Sequence, residues 1–98
     1  MPNNIKISSL AQKELFDSVQ WYEYQTSGLG DEFTNTIMAS LKVIQQTPEL
    51  FNKTKVNYRE YTVRRFPFVI VYKHKNDIVE VLHFFHTSRN PKLKYRQK

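Results

Sequence analysis

The spacing of apolar residues changes period near the middle of this 98-residue chain, and this change constrains the fold more than any other feature. In the first half, apolar residues recur every three or four positions, which is the period of an amphipathic helix. In the second half, short runs of Val, Ile, Phe and Tyr alternate with turn residues, which is typical of strands. Two helices followed by a strand meander predict an α+β fold with the helices on one face of a sheet.

The first half predicts an opening strand and then a helix. A short strand fits Ile5–Ile7, and Ser8 or Ser9 then offers an N-cap. Ser9 and Gln12 have the spacing of a capping box, and the helix is expected to run to about Gln25. Its apolar stripe consists of Ala11, Leu15, Val19 and Tyr22.

A second apolar stripe predicts a second helix. Asp31 and Glu32 lie in its first turn, where the helix dipole favours negative charge, and Pro48 ends it. The short connection Thr26–Gly30 predicts that the two helices form an antiparallel hairpin. The stripe consists of Phe33, Ile37, Leu41 and Ile44.

Three strands are predicted after a polar stretch at Asn52–Asn57. They span Tyr58–Arg64, Phe68–His74 and Ile78–Phe85, with turns at 65–67 and 75–77. Together with the opening strand they give the order β-α-α-β-β-β. We therefore expect an antiparallel sheet with an α-helical hairpin packed on one face, in a single domain over residues 1–98.

The net charge of +6 is divided unevenly along the chain. Residues 1–50 carry three basic and six acidic groups, a net charge of −3, whereas residues 51–98 carry twelve basic and three acidic groups, a net charge of +9. The final segment RNPKLKYRQK is a basic C-terminal tail at about 89–98. A half-chain this basic attracts polyanions or an acidic partner.

Several kinds of site are disfavoured by the residues present. The chain has no Cys, which removes disulfides, thiol nucleophiles and Cys-based metal sites. His83 and His86 are three positions apart on a predicted strand and so point to opposite faces. The two glycines form neither a P-loop nor a dinucleotide fingerprint, and no apolar run is long enough to cross a membrane. We expect no metal, no cofactor and a cytoplasmic location.

Basic residues on the strands and in the tail are candidates for contact with a target or partner. The alternative is that strand Arg and Lys only protect sheet edges, and that the tail only aids solubility. The candidates are Arg59, Arg64, Arg65, Lys73, Arg89, Lys92 and Lys94.

Metal-free RNA cleavage would need a base, cations and an acid around one phosphate. Glu60 or His86 could serve as the base, and His86 or Tyr95 as the acid. The charge-stabilising candidates are Arg59, Arg64, Arg65 and Arg89. Each of these residues also has an ordinary structural interpretation, which leaves catalysis open.

Four strings, in this order, resemble the RelE/ParE family of toxins from bacterial type II toxin–antitoxin modules, and they cover nearly the whole chain. The WYE…GLGDEF and RRFPF forms are more similar to the ParE or plasmid-stabilisation branch than to the RelE nucleases. The strings are WYEYQTSGLGDEF (Trp21–Phe33), IQQTPELF (Ile44–Phe51), YREYTVRRFPFVIVY (Tyr58–Tyr72) and FHTSRNPK (Phe85–Lys92).

The resemblance implies a growth-inhibiting toxin that a cognate antitoxin neutralises, with operator DNA bound only through the antitoxin. Its ParE branch implies non-enzymatic inhibition of DNA gyrase. The alternative is a ribosome-dependent mRNA endoribonuclease, because Arg89, Tyr95 and His86 resemble residues of the nuclease branch in type and spacing. A third possibility is a non-toxic relative that only binds its antitoxin.

Overall fold

The structure is a computed structural model that describes residues 3–54 and 57–88. Its elements are β1 (Asn4–Ile7), α1 (Ser9–Gln25), α2 (Leu29–Gln46), β2 (Asn52–Lys53), β3 (Tyr58–Thr62), β4 (Phe68–Lys75) and β5 (Ile78–His86). The predicted tail at about 89–98, with Arg89, Lys92, Lys94 and Tyr95, lies outside the described residues.

The strands form one sheet in the order β1-β5-β4-β3-β2, and the predicted α+β architecture is confirmed. Two details differ from the prediction. Asn52–Lys53, in the polar stretch where no strand was predicted, forms an edge strand that pairs with β3. β1 runs parallel to β5, because the helical hairpin and the meander return the chain to its starting direction over a long connection.

The start of α1 is capped by Ser8. Its hydroxyl accepts a hydrogen bond from the Ala11 amide (3.0 Å) and donates one to the Leu82 carbonyl of β5 (3.1 Å). The predicted capping box of Ser9 and Gln12 is therefore wrong, and the Gln12 side chain donates to the Ile7 carbonyl instead. Ser8 takes the cap because its extended backbone leaves β1 directly before the first helical turn.

The start of α2 is capped by a side chain of α1. The Glu23 carboxylate accepts from the amides of Gly28 (2.9 Å) and Gly30 (2.9 Å), where the helix dipole also favours its charge. Gly28 has a φ of +88°, which suits glycine. A Cβ on Gly30 would lie 3.0 Å from the Val19 carbonyl oxygen, so glycine here allows the close approach of the two helices.

Both predicted helical stripes face the sheet, as expected. Ala11, Phe33, Ile37 and Ile44 are fully buried, and the core continues through residues of β4 and β5. The Phe33 ring lies 4.9–5.1 Å from three other rings, and we call these four residues the aromatic cluster: Tyr22, Phe33, Phe66 and Phe68. The cluster joins both helices to the sheet at one point.

A β-bulge changes which residues of β5 face the helices. Val71 lies opposite His83, but the next residue, Tyr72, lies opposite Val81, so Leu82 is an extra residue on β5. Before the bulge, odd-numbered positions of β5 face the helices; after it, even-numbered positions do. This shift determines the direction of the side chains at the end of β5.

The buried Tyr72 hydroxyl predicts a pH dependence of stability. It donates to the Pro48 carbonyl (2.7 Å), and burial raises the pKa of Tyr72 to about 12, although the charge of Arg59 opposes the rise. Between pH 10 and about 12, the folded chain keeps this proton while the unfolded chain loses it. The raised pKa of Tyr72 therefore adds about 2–3 kcal/mol to the free energy of unfolding below pH 10. This stabilisation is lost as the pH rises through the folded pKa.

Urea unfolding of the wild type and Tyr72→Phe across this pH range measures the effect. We expect Tyr72→Phe to cost about 1–2 kcal/mol at neutral pH and to lose less stability than the wild type at high pH. Tyr22, whose pKa burial also raises, is present in both proteins and cancels in the comparison. Tyr24→Phe, at an exposed position, should follow the wild type. Parallel pH profiles for the wild type and Tyr72→Phe would contradict the prediction.

Candidate functional site

His86 lies at the end of β5, opposite Phe68, and the two rings pack edge to face at 5.1 Å. Its Nδ1 lies 3.2 Å from the backbone amide of Ser88 and 2.6 Å from the Ser88 hydroxyl. Because a backbone amide can only donate, Nδ1 is an acceptor, and the neutral ring carries its proton on Nε2. In this state the Nε2 edge of the His86 ring is a hydrogen-bond donor rather than a base.

Glu60, the other candidate base, lies on the opposite face of the sheet from His86. On β3 it is opposite Val71, which is in turn opposite His83. Residues 83 and 86 are an odd number of positions apart on a regular stretch of strand, so they face opposite ways. The structure therefore does not bring Glu60 and His86 together.

The two histidines of β5 also have separate partners. His83 Nδ1 lies 3.5 Å from the Glu14 carboxylate of α1, whereas His86 is held by Ser88. Among residues 3–54 and 57–88, no group of three His, Asp or Glu side chains is placed to hold a metal ion.

Arg59 and Lys73 lie on opposite faces of the sheet. Lys73 is opposite Tyr58, with its Nζ 5.4 Å from the centre of that ring, and Arg59 is the next residue along β3. The Arg59 guanidinium donates to the carbonyls of Glu49 (3.2 Å) and Phe51 (2.9 Å). Arg59 therefore holds the segment between α2 and β2 against the sheet.

Arg64 and Arg65 lie together in the turn between β3 and β4. Arg65 has a φ of +74°, pairs with Glu32 of α2 at 2.6 Å, and lies over the Phe66 ring. Both arginines line a groove of about 390 Å³ between this turn and α2. Among the described basic candidates, only these two share a surface.

A second depression lies between α1 and the end of β5, and we call it the α1–β5 cleft. It has a volume of about 410 Å³ and is lined by Glu14, Asp17, Trp21, Phe84, His86 and Ser88, among others. Of these residues, only His86 was a functional candidate predicted from the sequence. The sequence could have indicated an exposed Trp21, because this residue lies outside the predicted apolar stripe of α1.

Large apolar side chains of α1 are exposed outside its buried stripe. Phe16, Trp21 and Tyr24 are 63%, 58% and 88% exposed. Three large exposed apolar residues on one helix are typical of a helix that contacts a partner. Their exposure could have been predicted from the sequence, because on a helical wheel all three residues fall outside the buried stripe.

The family model for "ParE toxin of type II toxin-antitoxin system, parDE" matches residues 5–91. The chain belongs to the ParE toxin family. The resemblance drawn from its motifs is thus confirmed, and the matched family is that of its ParE branch. The matched region contains the positions of His86 and Arg89 and ends before Tyr95.

A solved structure, "Chromosomal ParDE TA system from P. aeruginosa", contains a chain of similar fold, with a TM-score of 0.74. The two chains are 19% identical, and the match covers 88% of this chain and 97% of that one. At this identity the likeness shows the fold, which confirms the predicted RelE/ParE-like architecture. No curated protein matches the sequence significantly.

Membership of the ParE family makes the chain the toxin of a type II toxin–antitoxin module, with a cognate antitoxin as its partner. In the described part of the chain, neither helix has the length and hydropathy needed to cross a membrane.

Proposed function

We propose that this ParE-family toxin acts in the cytoplasm by binding DNA gyrase, and that it catalyses no reaction itself. The observation that carries the proposal is the separation of the described candidate catalytic residues. Glu60 and His86 lie on opposite faces of the sheet, and His86 Nδ1 is occupied by Ser88. RNA cleavage without a metal needs base, cation and acid at a single phosphate, an arrangement that this geometry disfavours.

Arg64 and Arg65 are the described basic residues best placed to contact the target. Both side chains are exposed beside the groove along α2. Of the two, only Arg65 forms an ion pair with Glu32. Both side chains of this pair are exposed, so the pair holds the Arg65 guanidinium weakly. In this proposal Arg89, Lys92 and Lys94, which lie outside the described residues, also contact the target.

The antitoxin is proposed to cover the exposed apolar residues of α1 (Phe16, Trp21 and Tyr24) and part of the basic surface. An extended acidic segment that folds on binding would gain both apolar burial and charge attraction there. Operator DNA is then bound through the antitoxin.

Inducing the chain without its antitoxin tests the proposal. We expect growth arrest with intact mRNA, chromosome breaks and a damage response, together with inhibition of purified gyrase by the purified toxin. His86→Ala and Glu60→Gln should remain toxic, because neither residue acts as a catalyst in this proposal. Cleaved mRNA on ribosomes would contradict it in favour of the nuclease, and unaffected growth in favour of an antitoxin-binding relative.

Charge reversal locates the target surface. Arg64→Glu combined with Arg65→Glu should weaken gyrase inhibition by about tenfold or more, since two attractive charges become repulsive. Lys42→Glu combined with Lys53→Glu, at exposed positions of α2 and β2, reverses the same number of charges and should change inhibition little. Equal effects of both changes would point to net charge rather than to this surface.

A further inference from the structure

The described lining of the α1–β5 cleft is acidic, although the protein as a whole is strongly basic. The chain has 15 Lys and Arg residues, yet none of the described residues that line the cleft is Lys or Arg. Two carboxylates, those of Glu14 and Asp17, lie on its α1 side. The charge of the described lining therefore favours a cation, although the protein as a whole repels one.

An aromatic side chain on the cleft wall is held in place by its neighbour. The Trp21 ring packs edge to face on Tyr22, with centroids 5.2 Å apart and planes at 83°. Tyr22 belongs to the buried aromatic cluster, so it is a fixed support. Trp21 is 58% exposed, and an indole face is the strongest aromatic partner for a cation.

The two carboxylates differ in how firmly they are held. Glu14 is mostly buried and accepts from the Phe84 amide at 2.9 Å, which fixes its position. Asp17 has an ion pair with Lys13 at 3.0 Å, one turn earlier on α1, and both side chains are well exposed. Such exposed pairs contribute little to stability, so Asp17 can exchange this partner for a ligand.

The remaining surface of the cleft suits a ligand with an apolar stem. Phe68 and Phe84 supply an apolar wall, and the volume of the cleft lies within the usual range for small-ligand sites.

We propose that the α1–β5 cleft binds a guanidinium group on an aliphatic stem, with Asp17 and Trp21 as its main contacts. A planar guanidinium both pairs with carboxylates and stacks on an indole, whereas an ammonium does so less well. The proposal does not depend on the toxin's target.

The stem and its guanidinium can come from an arginine of a partner protein or from a free amine. Titrations with N-acetyl-L-arginine amide and with agmatine distinguish these sources, and N-acetyl-L-citrulline amide is the uncharged control. Fluorescence of Trp21, which is the sole Trp of the chain, and amide chemical shifts report binding. We expect saturable binding at roughly millimolar concentration, and at least about fivefold weaker binding of the citrulline compound.

Tighter binding of the blocked arginine supports a protein segment as the source, and tighter binding of agmatine supports a free amine. Asp17→Asn should weaken binding of either cation by about fivefold or more, with little change in the unfolding midpoint. Asp31→Asn removes the same charge from an exposed position on α2 and should leave binding unchanged. The proposal is overturned if neither cation saturates, if the citrulline compound binds equally well, or if Asp17→Asn has no more effect than Asp31→Asn.

Discussion

Phe33→Ala should lower the free energy of unfolding by about 3–5 kcal/mol. The Phe33 side chain is fully buried, and its ring contacts the three other members of the aromatic cluster at 4.9–5.1 Å. These neighbours come from α1, from the β3–β4 turn and from β4, so they cannot all move into the space that the ring leaves. The cost is therefore the lost burial of the ring together with a cavity.

Chemical denaturation near neutral pH measures this change, and the melting temperature should fall by at least about 12 °C. Phe16→Ala is the matched control on α1, because the same atoms are removed from a side chain that is 63% exposed. We expect the control to cost less than about 1 kcal/mol. Similar losses for the two variants would show that the aromatic cluster does not anchor the fold.

Phe33 also illustrates what could be predicted from the sequence. Its stripe repeats every three or four residues because burial on one side of a helix imposes that period. All four members, Phe33, Ile37, Leu41 and Ile44, are buried in the structure. The turn at Asn76 and Asp77 was equally predictable, since both adopt the positive φ angles that these residue types tolerate.

Strand pairing was less predictable because it depends on residues far apart in the chain. Asn52–Lys53 has neither the apolar residues nor the length of a typical strand, and only its pairing with β3 makes it one. The parallel pairing of β1 with β5 likewise depends on how two helices and three strands return the chain.

The candidate site was predicted by residue type but not by arrangement. Which face of the sheet a side chain occupies depends on register, and one extra residue, Leu82, reverses that face for the rest of β5. Glu60 and His86 could therefore not be placed relative to each other from the sequence. Glu14 and Glu23 fall outside the apolar stripe and resemble ordinary solvated acids, yet both accept hydrogen bonds from backbone amides.

Glu14 completes the hydrogen bonding of β5 where the sheet itself does not. Among the described strands, β1 is the neighbour of β5 on this side, and its pairing ends at Val81. The Glu14 carboxylate accepts from the Phe84 amide at 2.9 Å and lies 3.5 Å from His83. Both side chains are mostly buried, and water is a poor substitute there.

Glu14→Leu should therefore cost about 2–4 kcal/mol, because it leaves a buried backbone amide without its acceptor. Glu14→Gln keeps an acceptor oxygen and should cost less than about 1.5 kcal/mol. Urea unfolding measures both, and amide hydrogen exchange at Phe84 should quicken in the Leu variant only. Glu49→Leu is the matched control, since Glu49 also lies 3.5 Å from a histidine, His74, but is 74% exposed. If Gln costs as much as Leu, the charge opposite His83, rather than the amide of Phe84, is what Glu14 supplies to the fold.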